Sequence, residues 1–250
     1  MIDAHCHLDF EAFDHDREAV IRRAAEAGIE DIVIPGVKAE HWKRIAELCE
    51  QPNLHACYGL HPYYVDQHKN NDLLKLDQQL STQACVALGE CGLDYREGQA
   101  DKQLQLKFFR AQLELAQNHK LPVVIHSVRA TEDVIRLLTA YPQLSGMVHS
   151  YSGSIEQARQ LIDLGFYISL GGSITYPHAT KIQKVAAQCR LDRLLLETDS
   201  PDQPDVAHQN ERNEPAFLCN VLDHLAGLRT ESADEIAQQT TINAQRLFNI

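Results

Sequence analysis

The 250-residue chain is predicted to fold as an α/β protein of the (β/α)8 TIM-barrel type, on three observations. Short apolar runs alternate eight times with longer, mostly amphipathic stretches, the pattern of a parallel barrel. Several runs, such as Val123-Val124-Ile125 and Leu194-Leu195-Leu196, are continuous rather than alternating, as strands buried on both faces require. Polar residues able to bind metal follow five of the eight runs, and a parallel barrel gathers those strand ends on one rim. A doubly wound open sheet is the alternative. It normally carries a glycine-rich phosphate loop after its first strand, where this chain has His5-Cys6-His7 instead.

The expected strands are residues 2–4, 32–35, 55–59, 85–89, 122–125, 146–148, 166–170 and 194–196. A first helix over 18–27 stops at Gly28, a natural C-cap. Helical spacing of apolar residues recurs over 104–116, 131–138, 155–164 and 179–187. After the eighth strand come a helix over 215–225 and an extra C-terminal helix over 233–248. Ser232 is placed to cap that last helix, with Glu235 three residues on completing a capping box. No linker, low-complexity tract or internal repeat interrupts the chain, so a single domain over 1–250 is expected.

Composition narrows the function classes. Hydrophobic residues make up 44% and charged residues 23%, ordinary values for a soluble protein. The net charge of −12 argues against broad electrostatic wrapping of nucleic acid, although bound cations can supply a local positive field. Seven cysteines with no C-x-x-C pair exclude a zinc knuckle and a thioredoxin-like motif. No signal peptide and no membrane-length apolar run is visible, so a reduced, cytoplasmic protein without a membrane partner is expected. Nothing in the chain points to an obligate protein partner.

The chemistry begins at His5 and His7. Extended backbone has a period of two, so both imidazoles share one face while Cys6 points away. Alone this is a weak signal, because 13 histidines in a chain this long give roughly 0.7 such pairs by chance. Its weight comes from the other strand ends: Glu90 after the fourth, His126 after the fifth, His149 after the sixth and Asp199 beyond the eighth. Four imidazoles and two carboxylates without a thiolate suit Zn²⁺, Mn²⁺ or Mg²⁺ in a hydrolytic site. Six donors exceed what one tetrahedral catalytic ion uses, so two divalent ions sharing a carboxylate are expected.

In order along the chain, Ile2-Asp3-Ala4-His5-Cys6-His7, Gly59-Leu60-His61-Pro62, Gly89-Glu90-Cys91-Gly92-Leu93-Asp94, Pro122-Val123-Val124-Ile125-His126-Ser127, His149-Ser150-Tyr151-Ser152-Gly153 and Glu197-Thr198-Asp199-Ser200-Pro201 resemble the successive signatures of the TatD family of metal-dependent hydrolases. Arg212-Asn213-Glu214-Pro215 and the closing Asn243-Ala244-Gln245-Arg246-Leu247-Phe248 fit as well. The resemblance implies that His5, His7 and Asp199 hold one metal, that His126 and His149 hold the other, and that Glu90 bridges them. It makes Asp199 the general base toward the attacking water. It also implies phosphodiester hydrolysis of the 3′–5′ exonuclease type, with DNA ends or a small phosphodiester as substrate. One departure stands out. Relatives often read His-Ser-Arg-Asp-Ala after the fifth strand, whereas this chain reads His126-Ser127-Val128-Arg129-Ala130.

Other residues carry weaker expectations. His61 is placed either to contact a substrate phosphate from the rim or to cap loop backbone. Arg212 is placed either to grip a phosphate bidentately or to pair with Glu211 or Glu214. Asp3 and Glu197, two residues before His5 and Asp199, are placed to orient ligand imidazoles or to form a structural ion pair. Cys6 and Cys91 read as buried, inert thiols rather than nucleophiles. Two further functions stay open: a metallo-hydrolase of another ester or amide, such as a D-aminoacyl-tRNA, and a non-catalytic metal-stabilised scaffold. A basic groove beside the metals favours nucleic acid, and a closed apolar pocket favours an acyl substrate.

Overall fold

The structure, a computed structural model, describes residues 1–250. Eight parallel strands run in chain order: β1 (Ile2–Asp3), β2 (Asp31–Pro35), β3 (Leu54–Tyr58), β4 (Ala87–Asp94), β5 (Val123–Val128), β6 (Gly146–Val148), β7 (Phe166–Leu170) and β8 (Leu194–Leu196). Backbone bonds from Ala4 to Leu196 (3.0 Å) and from Asp199 to His5 (2.9 Å) join the first strand to the last. The sheet is thereby a (β/α)8 barrel.

Nine α-helices surround it: α1 (Arg17–Glu26), α2 (Trp42–Leu48), α3 (Asn70–Thr82), α4 (Lys102–His119), α5 (Thr131–Leu138), α6 (Ile155–Asp163), α7 (Thr180–Gln188), α8 (Leu218–Gly227) and α9 (Ala233–Phe248). α2 and α3 were not individually expected from the sequence. α3 is polar along most of its length and buries only Leu76, Leu80 and the capping Asp72, so its apolar period is thin. Asp72 instead starts it by accepting from the Lys69 backbone at 2.8 Å. Gly28 ends α1 at φ +81°, a conformation that favours glycine.

Two apolar clusters divide the interior. One takes residues from every strand, including Ala4, Val33, Cys57, Val124, Met147 and Leu195, and fills the lumen. Ala244, Leu247 and Phe248 of α9 join it and close the barrel floor. Asn243 pins α9 there by donating to the Leu191 and Leu194 carbonyls, both at 2.8 Å. The other cluster, 52 residues, lies between the barrel and the helices.

Strands β4 and β5 run past the expected ends, so Glu90 and His126 project from within strands rather than after them. The β4–β5 register slips between Leu88 and Cys91, and the Gly89–Glu90 peptide is cis. Glycine is required twice here. A Cβ on Gly59 would lie 2.5 Å from the Gly89 carbonyl carbon, and one on Gly89 would lie 2.6 Å from Val124 Cβ.

Candidate metal centre

The six strand-end residues converge at the C-terminal mouth of the barrel. His5 Nε2 and His7 Nε2 are 3.2 Å apart. Each lies 3.3–3.5 Å from both Glu90 Oε2 and Asp199 Oδ1. A tetrahedral ion holding nitrogen and oxygen at ~2.1 Å separates its ligands by about 3.4 Å, so this nest has the dimensions of an ion. On the other side of the same carboxylate, Glu90 Oε1 lies 2.8 Å from His149 Nε2 and 3.0 Å from His126 Nδ1. Those two nitrogens are 3.1 Å apart. Glu90 therefore turns one oxygen to each group of imidazoles.

A metal ligand must present a lone pair, and a neutral imidazole has one only on the nitrogen that lacks the proton. Outer partners settle this for two rings. His7 Nδ1 lies 3.2 Å from the Pro35 carbonyl, and His126 Nε2 lies 3.1 Å from Asp94 Oδ2. Each acceptor draws the proton outward and leaves the inward nitrogen free to bind. His5 Nδ1 and His149 Nδ1 are buried without a hydrogen-bond partner, although Glu197 Oε1 faces the latter at 3.7 Å as a nearby charge.

His61 stands differently. Its Nδ1 accepts from the Tyr63 backbone at 3.0 Å, which places its proton on Nε2, 2.8 Å from Glu90 Oε1. Although His61, Glu90 and His126 lie close enough to hold an ion, a protonated Nε2 cannot ligate one. His61 is a hydrogen-bond donor to the shared carboxylate, and through Nδ1 it caps loop backbone, the second of the two roles expected of it.

The electrostatics call for cations. Burial alone raises the Glu90 carboxyl, yet the facing His61, His149 and His5 hold it well below the usual range. Burial lowers an imidazole, but Glu90 and Asp199 overcome it at His7, which is raised to about 9. His149 is carried well above its ordinary value against burial, by Glu90 and Glu197, and His126 is raised against burial by Asp94 and Glu90. His5 is lowered by burial and by the adjacent His149. A site that draws protons onto buried imidazoles to balance its carboxylates fits divalent ions, which supply the same charge without them.

The centre opens into a cavity of about 730 Å³ whose wall includes His7, Glu90, His126, His149 and Asp199. Most of its lining is polar, including Ser127, Ser150, Ser152 and Ser173, and its aromatic residues are Phe10, Tyr63 and Tyr64. It is neither a basic groove nor a closed apolar pocket. Asp94 and Gln203 were not singled out from the sequence. Asp94, the last residue of β4, holds His126. Gln203 donates to Asp199 Oδ2 and accepts from Ser150 Oγ at 2.7 Å. The aspartate's place in the signature ending at Asp94 was a usable signal, whereas Gln203 lies in a loop whose path no local pattern reveals.

Arg212 requires a correction. It does not line the cavity. Its two terminal nitrogens grip Asp16 at 2.6 and 2.7 Å, and its guanidinium lies over the Phe13 ring at 4.7 Å. Glu214 is 3.8 Å away, and Arg23 binds that carboxylate more closely, so the pairing expected with Glu211 or Glu214 goes chiefly to Asp16. Asp3 accepts from Thr198 N (2.9 Å), Thr198 Oγ1 (2.6 Å) and the His5 backbone (3.3 Å), so it braces the β1–β8 seam and orients no imidazole. Glu197 does face His149, and it also accepts from Ser169 Oγ at 2.5 Å. Cys6 and Cys91 are fully buried, and burial pushes both thiols up, away from nucleophilic use.

Comparison with known proteins places this architecture. A family model described as TatD related DNase matches residues 2–249. The chain is 42% identical over 255 residues to the uncharacterized metal-dependent hydrolase YjjV of Escherichia coli K12, covering 100% of this chain and 98% of that one. It is 36% identical over 253 residues to the uncharacterized metal-dependent hydrolase YabD of Bacillus subtilis, covering 100% and 99%. The crystal structure of E. coli YjjV, described as a TatD homolog, superposes with a TM-score of 0.97 at 40% identity, covering 100% and 98%. A TatD family hydrolase from Entamoeba histolytica shares the fold, with a TM-score of 0.86 at 23% identity over 99% and 97% of the two chains.

Proposed function

This chain belongs to the TatD family of metal-dependent hydrolases, and from that premise we propose that it hydrolyses phosphodiesters with a two-metal centre, acting on DNA ends or small phosphodiesters. The observation that carries the reading is the pair of donor nests on the two oxygens of Glu90. His5, His7 and Asp199 would hold one ion, His126 and His149 the other, with Glu90 between them. Mg²⁺, Mn²⁺ and Zn²⁺ all suit this donor set. When bound, the ions would polarise a phosphoryl oxygen and make the attacking water more acidic.

The chain's own residues do the rest. Asp199 reaches the first nest through Oδ1 and faces the cavity, where it takes the proton of the attacking water. Gln203 fixes its other oxygen. Asp94 and the Pro35 carbonyl hold His126 and His7 in register from behind, and Glu197 places a negative charge behind His149. His61 donates from Nε2 to Glu90 and limits how far that carboxylate can turn. The open cavity supports catalysis over a scaffold role, since structural zinc sites are closed by four protein ligands. The hydroxyls of Ser127, Ser150, Ser152 and Ser173 on its wall can donate to phosphodiester oxygens, which supports that substrate over an acyl group. No helix is long and apolar enough to cross a membrane. In this reading the chain works as one domain in a reducing cytoplasm, consistent with seven free cysteines.

The test uses metal-stripped protein with Mg²⁺, Mn²⁺ or Zn²⁺ restored one at a time. Substrates are a bis-aryl phosphodiester and 3′-labelled single-stranded DNA. Metal-dependent release of product, lost in Glu90→Ala and in Asp199→Asn with the fold intact, is expected. No phosphodiester turnover by protein shown to hold its metals would sink the reading and send the search to acyl substrates. Full activity in Asp199→Asn would remove that residue from the mechanism.

A further inference from the structure

The mouth of the cavity holds one Lys or Arg side chain, Arg96. The loop after β5 does not supply another: Val128 lines the wall, and Arg129, which follows at φ +54°, does not. Arg96 spends only part of its guanidinium on the protein. Nε lies 3.0 Å from both oxygens of Asp94, and Nη2 lies 2.5 Å from Oδ2. Nη1 has no protein partner, and the side chain is 47% exposed. The far edge of the fork therefore faces solvent, in the geometry that suits two oxygens of one phosphate.

Beside it stands Tyr63, 48% exposed, a large proportion for an aromatic ring on a cavity wall. Its ring centre is 5.9 Å from the Arg96 guanidinium carbon and 5.0 Å from the Tyr64 ring, which packs against it edge to face. Tyr63 is held by its backbone, which bonds to His61, so its ring remains free to stack. A fixed cation and an exposed ring this close together can be touched by a single nucleotide. Asp199 and Asp202 are the acidic groups on that wall besides Glu90, and Arg96 is its one lining Lys or Arg; Lys38 Nζ lies over the Tyr64 ring at 4.3 Å and Lys181 Nζ donates to the Ser152 carbonyl at 2.9 Å behind the lining.

We propose that Arg96 and Tyr63 form a subsite for the end of the substrate: Arg96 takes non-bridging oxygens of the phosphate that reacts, and Tyr63 stacks on the base of the nucleoside esterified to it. The proposal rests on the phosphodiesterase reading above and narrows its substrate to single nucleotide units, whether free esters or the frayed end of a strand. A long duplex would need many phosphate contacts, and the acidic chain, with one such cation at its mouth, does not offer them. The cavity's 730 Å³ falls in the range of pockets for small ligands, about 300–1,000 Å³.

The test compares two esters with one leaving group, thymidine 5′-(p-nitrophenyl phosphate) and methyl p-nitrophenyl phosphate, on metal-loaded wild type and variants. Tyr63→Ala should raise KM about tenfold for the nucleoside ester and leave the methyl ester unchanged, because one base–ring stack is lost. Arg96→Ala should raise KM about tenfold for both esters with metal content unchanged, and Arg96→Lys should recover part of that loss. If Arg96→Ala instead sheds metal and lowers kcat at constant KM, the arginine only braces Asp94, and the subsite is wrong. An unchanged nucleoside-ester KM in Tyr63→Ala overturns it equally. Wild-type enzyme that turns over neither ester defeats the phosphodiesterase reading itself, an outcome distinct from normal turnover with unaltered variants.

Discussion

Replacing Asp94 with alanine probes how the second donor nest is held. Asp94 is fully buried, and its Oδ2 is the acceptor for His126 Nε2 at 3.1 Å. Burial opposes its charge, but His126 and Arg96 hold its carboxyl far below the ordinary range, so it confronts the ring as an anion. Without it, His126 loses the partner that keeps the proton on Nε2, and Nδ1 no longer presents its lone pair reliably toward Glu90. Loss of such an outer partner typically weakens metal affinity 10–100-fold, about 1.4–2.8 kcal/mol. The orphaned ring N–H adds about 1–3 kcal/mol of lost stability. The nest of His5, His7 and Asp199 has no contact with Asp94, so its ion should be retained. Titration of metal-stripped protein with Zn²⁺ against a competing chelator reads both steps: one should shift by one to two decades and the other little. Asp94→Asn, whose amide oxygen can still accept from Nε2–H, should lose less. Equal weakening of both steps, or no weakening, would refute the argument that Asp94 acts through His126.

Other consequences are as direct. Gly59→Ala puts a methyl group against the Gly89–Glu90 backbone, where nothing flexible can yield; a loss of about 3 kcal/mol in urea unfolding is expected, and an unchanged midpoint would contradict the close approach. Asp16 sits between Arg212 and Arg23, which hold its carboxyl down to about 2. The unfolded chain then binds more protons than the native one between about pH 4 and pH 2, so this contribution is intact above pH 4 and fades as pH falls through that window. Because the pair is a third exposed, the effect should stay below about 1 kcal/mol, and Asp16→Asn should flatten that part of the stability–pH curve. Ser232→Ala removes the cap that accepts from Glu235 N at 3.3 Å and should cost about 1 kcal/mol, read as a lowered Tm, since α9 closes the barrel floor.

Much of this architecture was legible before any coordinates. Continuous apolar runs mark strands buried on both faces, and a chain with eight of them separated by amphipathic stretches has few ways to bury both. The helices over Thr131–Leu138 and Ala233–Phe248 match their expected bounds. α2 and α3 did not declare themselves: α2 has only seven residues, too few to show a helical period, and α3 is mostly polar, so both are specified by their neighbours rather than by their own pattern. The six donors at the mouth could be named because each belongs to a strand or its end, and strand ends in a parallel barrel meet by topology alone. Arg212 could not be assigned the same way. Its loop runs back over α1, and only the fold reveals that Asp16, nearly two hundred residues earlier, is its partner.

The sequence by itself pointed to the barrel, to its family and to six candidate donors, since strand periodicity and ligand chemistry are local properties carried by each segment. Tertiary structure decided which nitrogen of His7 and of His126 is free, that both oxygens of Glu90 are shared, and that His61 donates a proton rather than a lone pair. Those facts depend on differences of a few tenths of an ångström in contacts between groups far apart in the chain, such as Pro35 with His7 at 3.2 Å and Asp94 with His126 at 3.1 Å. Hydrogen bonding falls off within that distance, so no pattern of residue types can encode it.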